Sequence, residues 1–259
     1  MAFDTGAGAI SAVNFLGLNF TPFDRDAALD VITARATLAA PFAYVTTPNV
    51  DHMVKLSREP ARRALYEHAW LTLNDSRILE LLSARAGLYL PSAPGADLAE
   101  MLFARVIDKD EAVTIIGGDR QAIAALRRRF GLTDIRWHNA PAGLASNPQA
   151  IVEAAAFAAA HGARFTFICV GAPQQEMVAY AISQIEGATG VGLCVGAALD
   201  FLSGKTARAP AWMRALRLEW LHRLISEPKR LWKRYLVDGP RIFSLFAAWR
   251  ATMAAASAA

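Results

Sequence analysis

The stretch AVTIIGGDRQAIAALRRRFGLTDIRW, residues 112–137, decides the fold. Ala112–Ile116 is a short apolar run of the kind that forms a strand covered on both faces. Gly117-Gly118-Asp119 follows, and Asp119 suits a helix N-terminus. Arg120–Phe130 is then amphipathic at helical spacing, and Asp134–Trp137 reads as the next strand. Strand, Gly-Gly turn, helix and strand make one βαβ unit, whose turn has the general form of a nucleotide-binding turn. Gly117 and Gly118 are therefore candidate ligand contacts. The GxGxxG fingerprint and the P-loop lysine are both absent, which argues against a nicotinamide-dependent oxidoreductase.

The same alternation extends outward on both sides. Further strands are expected at Val13–Phe20, Ala43–Thr47, Trp70–Leu73, Arg164–Val170 and Gly192–Val195. Helices are expected at Asp24–Leu38, Arg77–Ala86, Asp97–Ile107, Pro148–His161 and Gln175–Ile185, with Asp24 and Asp97 also suiting helix N-termini. The order predicts an α/β fold with a Rossmann-like, doubly wound, mostly parallel sheet, which places ligands at the C-terminal ends of the strands. After Ala198 the pattern changes. Pro210, Pro228 and Pro240 divide the remainder into helices at Ala211–Ser226, Lys229–Val237 and Arg241–Met253, each proline suiting a first turn. The division expected is a catalytic α/β domain over residues 1–203 and a helical appendage over 204–259, with a frayed alanine-rich end from Ala251.

Composition narrows the class. The chain has 259 residues, 54% of them hydrophobic, with a mean hydropathy of +0.24. No run of about 18 apolar residues occurs, so no transmembrane helix is expected. The opening MAFDTGAGAI lacks the basic start and apolar core of a signal peptide. Cys169 and Cys194 lie in apolar runs and read as core residues of a protein in a reducing cytoplasm. No Cys/His cluster suggests a metal. The strings Asp24-Arg25-Asp26 and Asp108-Lys109-Asp110 sit at helix ends rather than strand ends, so neither is expected to hold one.

Charge is unevenly placed. Residues 204–241 carry ten Lys or Arg and three acids, a local net of +7 within a total of +4, so the rest is about −3. Four of the six tryptophans (Trp212, Trp220, Trp232 and Trp249) lie in the same C-terminal part. A basic helix with Trp and Leu suits an anionic membrane surface, and arginine suits phosphate oxygens. No DNA- or RNA-binding module is recognisable, and no nucleic-acid partner is expected.

Three further loops follow apolar strands. Thr46-Thr47-Pro48-Asn49 offers a hydroxyl and an amide, or else a capped turn into a helix. Asn74-Asp75-Ser76-Arg77 places Asp75 either as a general base or as the cap of the helix from Arg77. Gly171-Ala172-Pro173-Gln174-Gln175-Glu176 brings backbone N–H groups and a glutamine amide to the sheet edge, where a phosphate or a sugar hydroxyl would suit them.

In this order the loops resemble the WecG/TagA/CpsF family of bacterial glycosyltransferases (glycosyltransferase family 26), which build β-linkages on polyprenol-diphosphate-linked sugars. The matching strings are TPN at Thr47–Asn49, GADL at Gly95–Leu98, IIGG at Ile115–Gly118, VGAPQQE at Val170–Glu176, and the block from Asp200 to Tyr235 that contains RAP, LEW and EP. The resemblance implies an inverting, metal-independent enzyme without cofactors. Such an enzyme moves a sugar from a UDP donor to a polyprenol-diphosphate-linked saccharide in exopolysaccharide or cell-surface polysaccharide synthesis. It implies Asp75 as catalytic base, Thr47, Asn49 and Gln175 lining the sugar pocket, and Arg217, Arg223, Arg230 and Arg234 stabilising the leaving diphosphate. It also implies a cytoplasmic protein held peripherally on the inner face of the plasma membrane, compatible with a homo-oligomer.

Two stretches depart from the family pattern. Asn74-Asp75-Ser76-Arg77 stands where Pro-Asp-Gly and a further Gly are usual, and Pro91-Ser92-Ala93-Pro94 lacks the family's arginine. The donor sugar is accordingly left open among N-acetylmannosamine, its uronic acid, glucose and related sugars. A catalytically inactive UDP-sugar-binding scaffold of a polysaccharide assembly complex is the alternative.

Overall fold

The computed structural model describes residues 2–4, 9–206, 210, 213 and 219–258. Six strands form the central sheet: β5 (Ala43–Thr46), β6 (Leu71–Thr72), β7 (Val113–Gly117), β8 (Ile135–His138), β9 (Phe165–Cys169) and β10 (Val191–Cys194). They lie in the order β6-β5-β10-β9-β7-β8, and every pairing is parallel. The step from β5 to β6 runs toward one edge and the step from β7 to β8 toward the other. This is the doubly wound, Rossmann-like arrangement the alternation predicts.

Burial explains why the strands read as continuous apolar runs. All five residues of β7 and all four of β10 are buried. Successive side chains point to opposite faces. Val113, Ile115, Phe165, Phe167 and Leu193 join one core cluster, whereas Ile116, Ile168, Cys194 and Tyr44 join another. The first cluster is covered by α1 (Arg25–Arg35), α5 (Gly95–Arg105), α6 (Arg120–Phe130) and α9 (Ala198–Leu202). The second is covered by α7 (Pro148–Ala160) and α8 (Gln174–Ser183). Phe103 of α5 stacks on Phe167 at 4.4 Å, and each such fully buried side chain stabilises the fold by roughly 1.5–3 kcal/mol.

The structure departs from the expected elements in five places. Val13–Phe20 is not one strand but a hairpin, β3 (Val13–Phe15) and β4 (Leu18–Phe20), because Leu16 (φ 56°) and Gly17 (φ 76°) both adopt the left-handed turn a tight hairpin requires. A short antiparallel pair, β1 (Ala2–Asp4) and β2 (Ala9–Ser11), precedes it. Two helices whose bounds were not expected separate β5 from β6: α2 (Val50–Arg58), the helix that the capped-turn reading of Thr46–Asn49 leads into, and α3 (Ala64–Glu67). Helix α5 begins at Gly95 after Pro94, which puts Asp97 in its first turn rather than at its cap.

The fifth departure concerns the alanine-rich end. Beyond α4 (Arg77–Arg85) and the sheet, the C-terminal part contains α10 (Glu219–Ser226), α11 (Pro228–Trp232), a π-helical turn over Lys233–Asp238, and α12 (Arg241–Ala258). Residues from Ala251 continue α12 instead of fraying, as alanine's high helix propensity favours. Ile242 and Phe246 of α12 enter a third core cluster with Phe15, Phe20, Met53 and Val54. Phe15 meets the edge of Trp249 at 5.2 Å, and Arg58 of α2 pairs with Asp238 at 2.5 Å. The C-terminal helices are thereby fastened to the hairpin and to α2, which sets where the preceding π-turn lies.

Candidate active site

The loops after β5, β6, β9 and β10 are stitched together at the carboxyl edge of the sheet. Leu73 donates its N–H to the Thr46 carbonyl at 2.9 Å, and Asp75 donates its N–H to the Pro48 carbonyl at 3.0 Å. The Thr47 hydroxyl donates across to the Cys194 carbonyl at 3.0 Å, and Gly95 packs so closely there that a Cβ would lie 2.7 Å from that hydroxyl. The Gln175 amide donates to Glu176 Oε1 at 2.8 Å and accepts the Gly196 N–H at 2.8 Å. Thr47 and Gln175 are thus nearly buried braces between strands, at 5% and 3% exposure.

Asp75 is half-buried at the opening of α4. The cap of that helix is Ser76, whose hydroxyl accepts the Leu79 N–H at 3.3 Å, so the capping role is taken by the neighbour of Asp75. Arg77, the bulky departure, turns along α4 and pairs with Glu80 at 2.7 Å. The two departing stretches lie against each other. Asn74 bridges to Ser92, its backbone carbonyl accepts the Ala93 N–H at 2.8 Å, and its side-chain amide donates to Leu90 at 3.2 Å. Asn74 is fully buried, and its Oδ1 and the Ser92 hydroxyl have no hydrogen-bond partner among the described residues.

Asn49 caps α2, which decides between the two sequence readings of its loop only in part, because the same side chain also meets the C-terminal segment. Its Oδ1 accepts from the Asp51 N–H at 3.1 Å and from Arg234 Nη2 at 3.3 Å. Arg234 also lies 3.5 Å from the Asp51 carboxylate, which Lys55 approaches to 2.8 Å. Burial opposes ionisation of Asp51, but the Arg234 guanidinium and Lys55 outweigh it and hold the carboxyl below its ordinary range. Of the four arginines named from the sequence, Arg234 is the one the structure brings to this edge in full view. Arg217 lies outside the described residues, as do the side chains of Arg223 and Arg230.

Beneath Asn49 is a buried polar cluster that the sequence reading did not single out. His52 sits at the third position of α2 with Nδ1 2.8 Å from Asn49 Oδ1 and 3.2 Å from the Asn49 N–H. Its Nε2 faces Glu176 Oε1 at 3.9 Å. Glu176 is completely buried, and burial raises its carboxyl to about 7 against the partial offset of Gln175, Lys55 and Tyr66. Burial, together with the nearby Arg234, lowers His52 to about 3, so the imidazole is neutral at physiological pH. The one sequence signal for this cluster is Asn49 followed three residues later by a side chain able to reach back to the cap.

The fourth loop lies apart. Gly117 and Gly118 have φ of 93° and 75°, and Asp119 caps α6 by accepting the Ala122 N–H at 2.8 Å. A Cβ on Gly117 would lie 2.9 Å from the Cys169 carbonyl, so the turn requires glycine there. Trp137 donates its indole N–H to the Gly117 carbonyl at 2.9 Å. Asp119, Arg120, Gln121, Trp137 and Asn139 line an open cleft, with Lys205 paired to Asp119 at 2.9 Å. Three strand spacings separate β7 from β5, a distance of about 14 Å.

The family model for the glycosyl transferase WecG/TagA/CpsF family matches residues 13–256. The chain belongs to the WecG/TagA/CpsF glycosyltransferase family. It is accordingly a glycosyltransferase of cell-surface polysaccharide synthesis, and the match runs through all the loops above and through the C-terminal helices. No helix among the described residues is long and apolar enough to cross a membrane.

Proposed function

We propose that this protein transfers a sugar, with inversion, from a UDP-sugar to a saccharide carried on a polyprenol diphosphate, using Asp75 as general base and no metal ion. The observation that carries this reading is the meeting of Asp75, Asn49 and Arg234 at one edge. Asp75 is tied to the Asn49 loop through the Pro48 carbonyl, and Arg234 reaches Asn49 Oδ1 at 3.3 Å from far along the chain. Inversion needs one base to take the acceptor hydroxyl proton as the new bond forms. A leaving diphosphate without a metal needs fixed cations and helix N-termini, and Arg234 is a cation so placed. The Gly117-Gly118 turn and the cleft beside Trp137 would take the nucleotide, with the diphosphate crossing toward Arg234 and the sugar reaching the Asn49 loop.

The acceptor's lipid suggests how the protein meets its membrane. Trp232, Leu236 and Phe243 are 52%, 58% and 56% exposed, and Lys229 and Lys233 lie among them. Exposed apolar residues interleaved with lysine suit an anionic bilayer surface. Truncation before this segment would also strip Ile242 and Phe246 from the core, so point substitutions are the cleaner probe.

The decisive experiment is a donor panel with a synthetic polyprenol-diphosphate-sugar acceptor, read as UDP release with and without EDTA. Turnover is expected with at least one UDP-sugar and should survive the chelator. Asp75→Asn should reduce it by ~10²–10⁴-fold while UDP still binds. A panel in which UDP binds and nothing is transferred would instead support the scaffold reading.

A further inference from the structure

A second cavity lies where the β3–β4 hairpin, α2 and α12 meet. Leu16, Met53, Leu245 and Trp249 form its apolar walls, Arg63 lines it as well, and its volume is about 270 Å³. Arg63 closes the 3₁₀ turn Pro60–Arg63 that follows α2. Its guanidinium lies against the hairpin turn: a Cβ on Gly17 would be 2.7 Å from Nη1 and 3.2 Å from Cζ, so glycine at that position makes the room. Four cations occur between Val50 and Arg63. Lys55 pairs with Asp51, Arg58 with Asp238 and Arg62 with Glu59. Arg63 is half-buried and has no hydrogen bond or ion pair among the described residues. The Ser57 hydroxyl, also at the cavity, is spent on the Val54 carbonyl at 2.8 Å. A guanidinium held partly out of water beside apolar walls, rich in donors and lacking an acceptor, favours an anion that brings an apolar body with it.

We propose that this cavity is a seat for one anionic phospholipid of the bilayer, with Arg63 on the phosphate and the first carbons of a chain between Leu16, Met53, Leu245 and Trp249. Arginine forks onto phosphate oxygens, and the walls supply the apolar contact that a free phosphate could not use. The size suits a phosphate and the start of a chain, since pockets for whole small ligands begin at roughly 300 Å³. The chain has somewhere to continue. One turn beyond Trp249, Met253 is 49% exposed, and α12 runs on to Ala258. The seat is separate from the proposed reaction site, because Ser57 stands about 12 Å along α2 from Asn49, at 1.5 Å per residue. This inference builds on the proposed approach of the C-terminal helices to an anionic bilayer. It adds a defined contact, made by the hairpin and the turn after α2, to an attraction that is otherwise diffuse.

The test uses the full chain and two probes: dihexanoyl phosphatidylglycerol below its micelle concentration, followed by tryptophan fluorescence, and phosphatidylglycerol–phosphatidylcholine vesicles, followed by co-sedimentation. Arg63→Ala should weaken binding of the short-chain lipid about tenfold, the loss of one charged hydrogen-bonded contact. Arg62→Ala removes the same charge one residue away, from a side chain already paired with Glu59, and should change binding less than about twofold. Equal losses in the two variants would mean attraction without a seat and would overturn the proposal. Arg63→Lys keeps the charge and should stay within about threefold of the wild type; it serves if the alanine variant fails to fold. Glycerol phosphate, which has no chain, should bind at least about tenfold more weakly than the lipid, and equal affinity would make this a plain phosphate site and overturn the proposal. The vesicle arm separates the two readings. If vesicles fail to bind while the short-chain lipid still binds through Arg63, the bilayer approach of the C-terminal helices falls and the seat stands. If the short-chain lipid does not bind, or ignores Arg63, the seat falls whatever the vesicles do.

Discussion

The two ends of the carboxyl edge are built differently. Around β5 and β10 the polar side chains are buried or half-buried and consumed by one another: Thr47 by Cys194, Gln175 by Glu176 and Gly196, Asn49 by Asp51, His52 and Arg234. Around β7 the cleft is open, its charges are exposed, and its main features are backbone ones, the Gly117-Gly118 turn and the start of α6. A buried network holds few atoms in fixed orientation, as chemistry at one bond requires. An open turn of backbone N–H groups accommodates a bulky anion by shape and partial charge. The contrast agrees with the proposal that reaction takes place at the first end and nucleotide binding at the second.

The comparison breaks most visibly at Arg234. Arg234→Ala should lower kcat/KM for transfer by about 100-fold, most of it in kcat, since the guanidinium is proposed to meet charge that grows as the diphosphate leaves. Steady-state kinetics on the acceptor assay decides this, and an effect confined to KM would move Arg234 from chemistry to simple binding. At the other end, Gly117→Ala should destabilise the fold by about 2–3 kcal/mol, because an alanine there combines left-handed backbone with a carbonyl at 2.9 Å. Denaturant unfolding measures that loss, and UDP binding should weaken with it.

A smaller effect tests the buried network through pH. The Glu176 carboxyl titrates near 4.5 when unfolded and at about 7 when folded, so the folded chain holds the extra proton between those values. Stability from this group is complete below pH 4.5 and is lost as pH rises through 7. His52 acts oppositely, being lowered from 6.5 to about 3, so its contribution is lost as pH falls below 6.5. The two slopes oppose each other between 4.5 and 6.5, and Glu176 alone remains above 6.5. From pH 6.5 to 7.5 the wild type should lose roughly 1 kcal/mol or less relative to Glu176→Gln, visible in parallel melting curves. The smallest change is expected at the exposed Lys205–Asp119 pair. Lys205→Ala should leave the melting temperature unaltered and weaken UDP binding about twofold at low salt only, as screening dictates.

Much of this was legible before any coordinates. Each sheet strand was found to within a residue or two because strands covered on both faces are written as apolar runs, as in Ile115-Ile116 and Phe165–Ile168. The loops bearing Thr47, Asn49, Asp75 and Gln175 followed directly, since polar residues just past such runs fall at one edge. The hairpin at Leu16–Gly17 was missed because two short strands and their turn share one alternating pattern. Helix α2 was not delimited because its apolar positions are interrupted by Asp51, His52 and Lys55, and the partners of Asp51 and His52 include Arg234 and Glu176 from other elements.

What the sequence determined by itself was local: the period of each segment, the caps at Asp24 and Asp119, the glycines that must turn, and the concentration of cations after Gly204. These depend on neighbours a few residues away, and a reader of the chain sees those neighbours. The tertiary structure alone decided that Arg234 meets Asn49, separated by 185 positions, and that Glu176 lies behind His52. Those meetings follow from strand order and from the docking of Ile242 and Phe246 on the hairpin, which no local pattern encodes. They also depend on burial, which removes water from the Glu176 carboxyl and the His52 imidazole and so moves both away from their ordinary titration ranges.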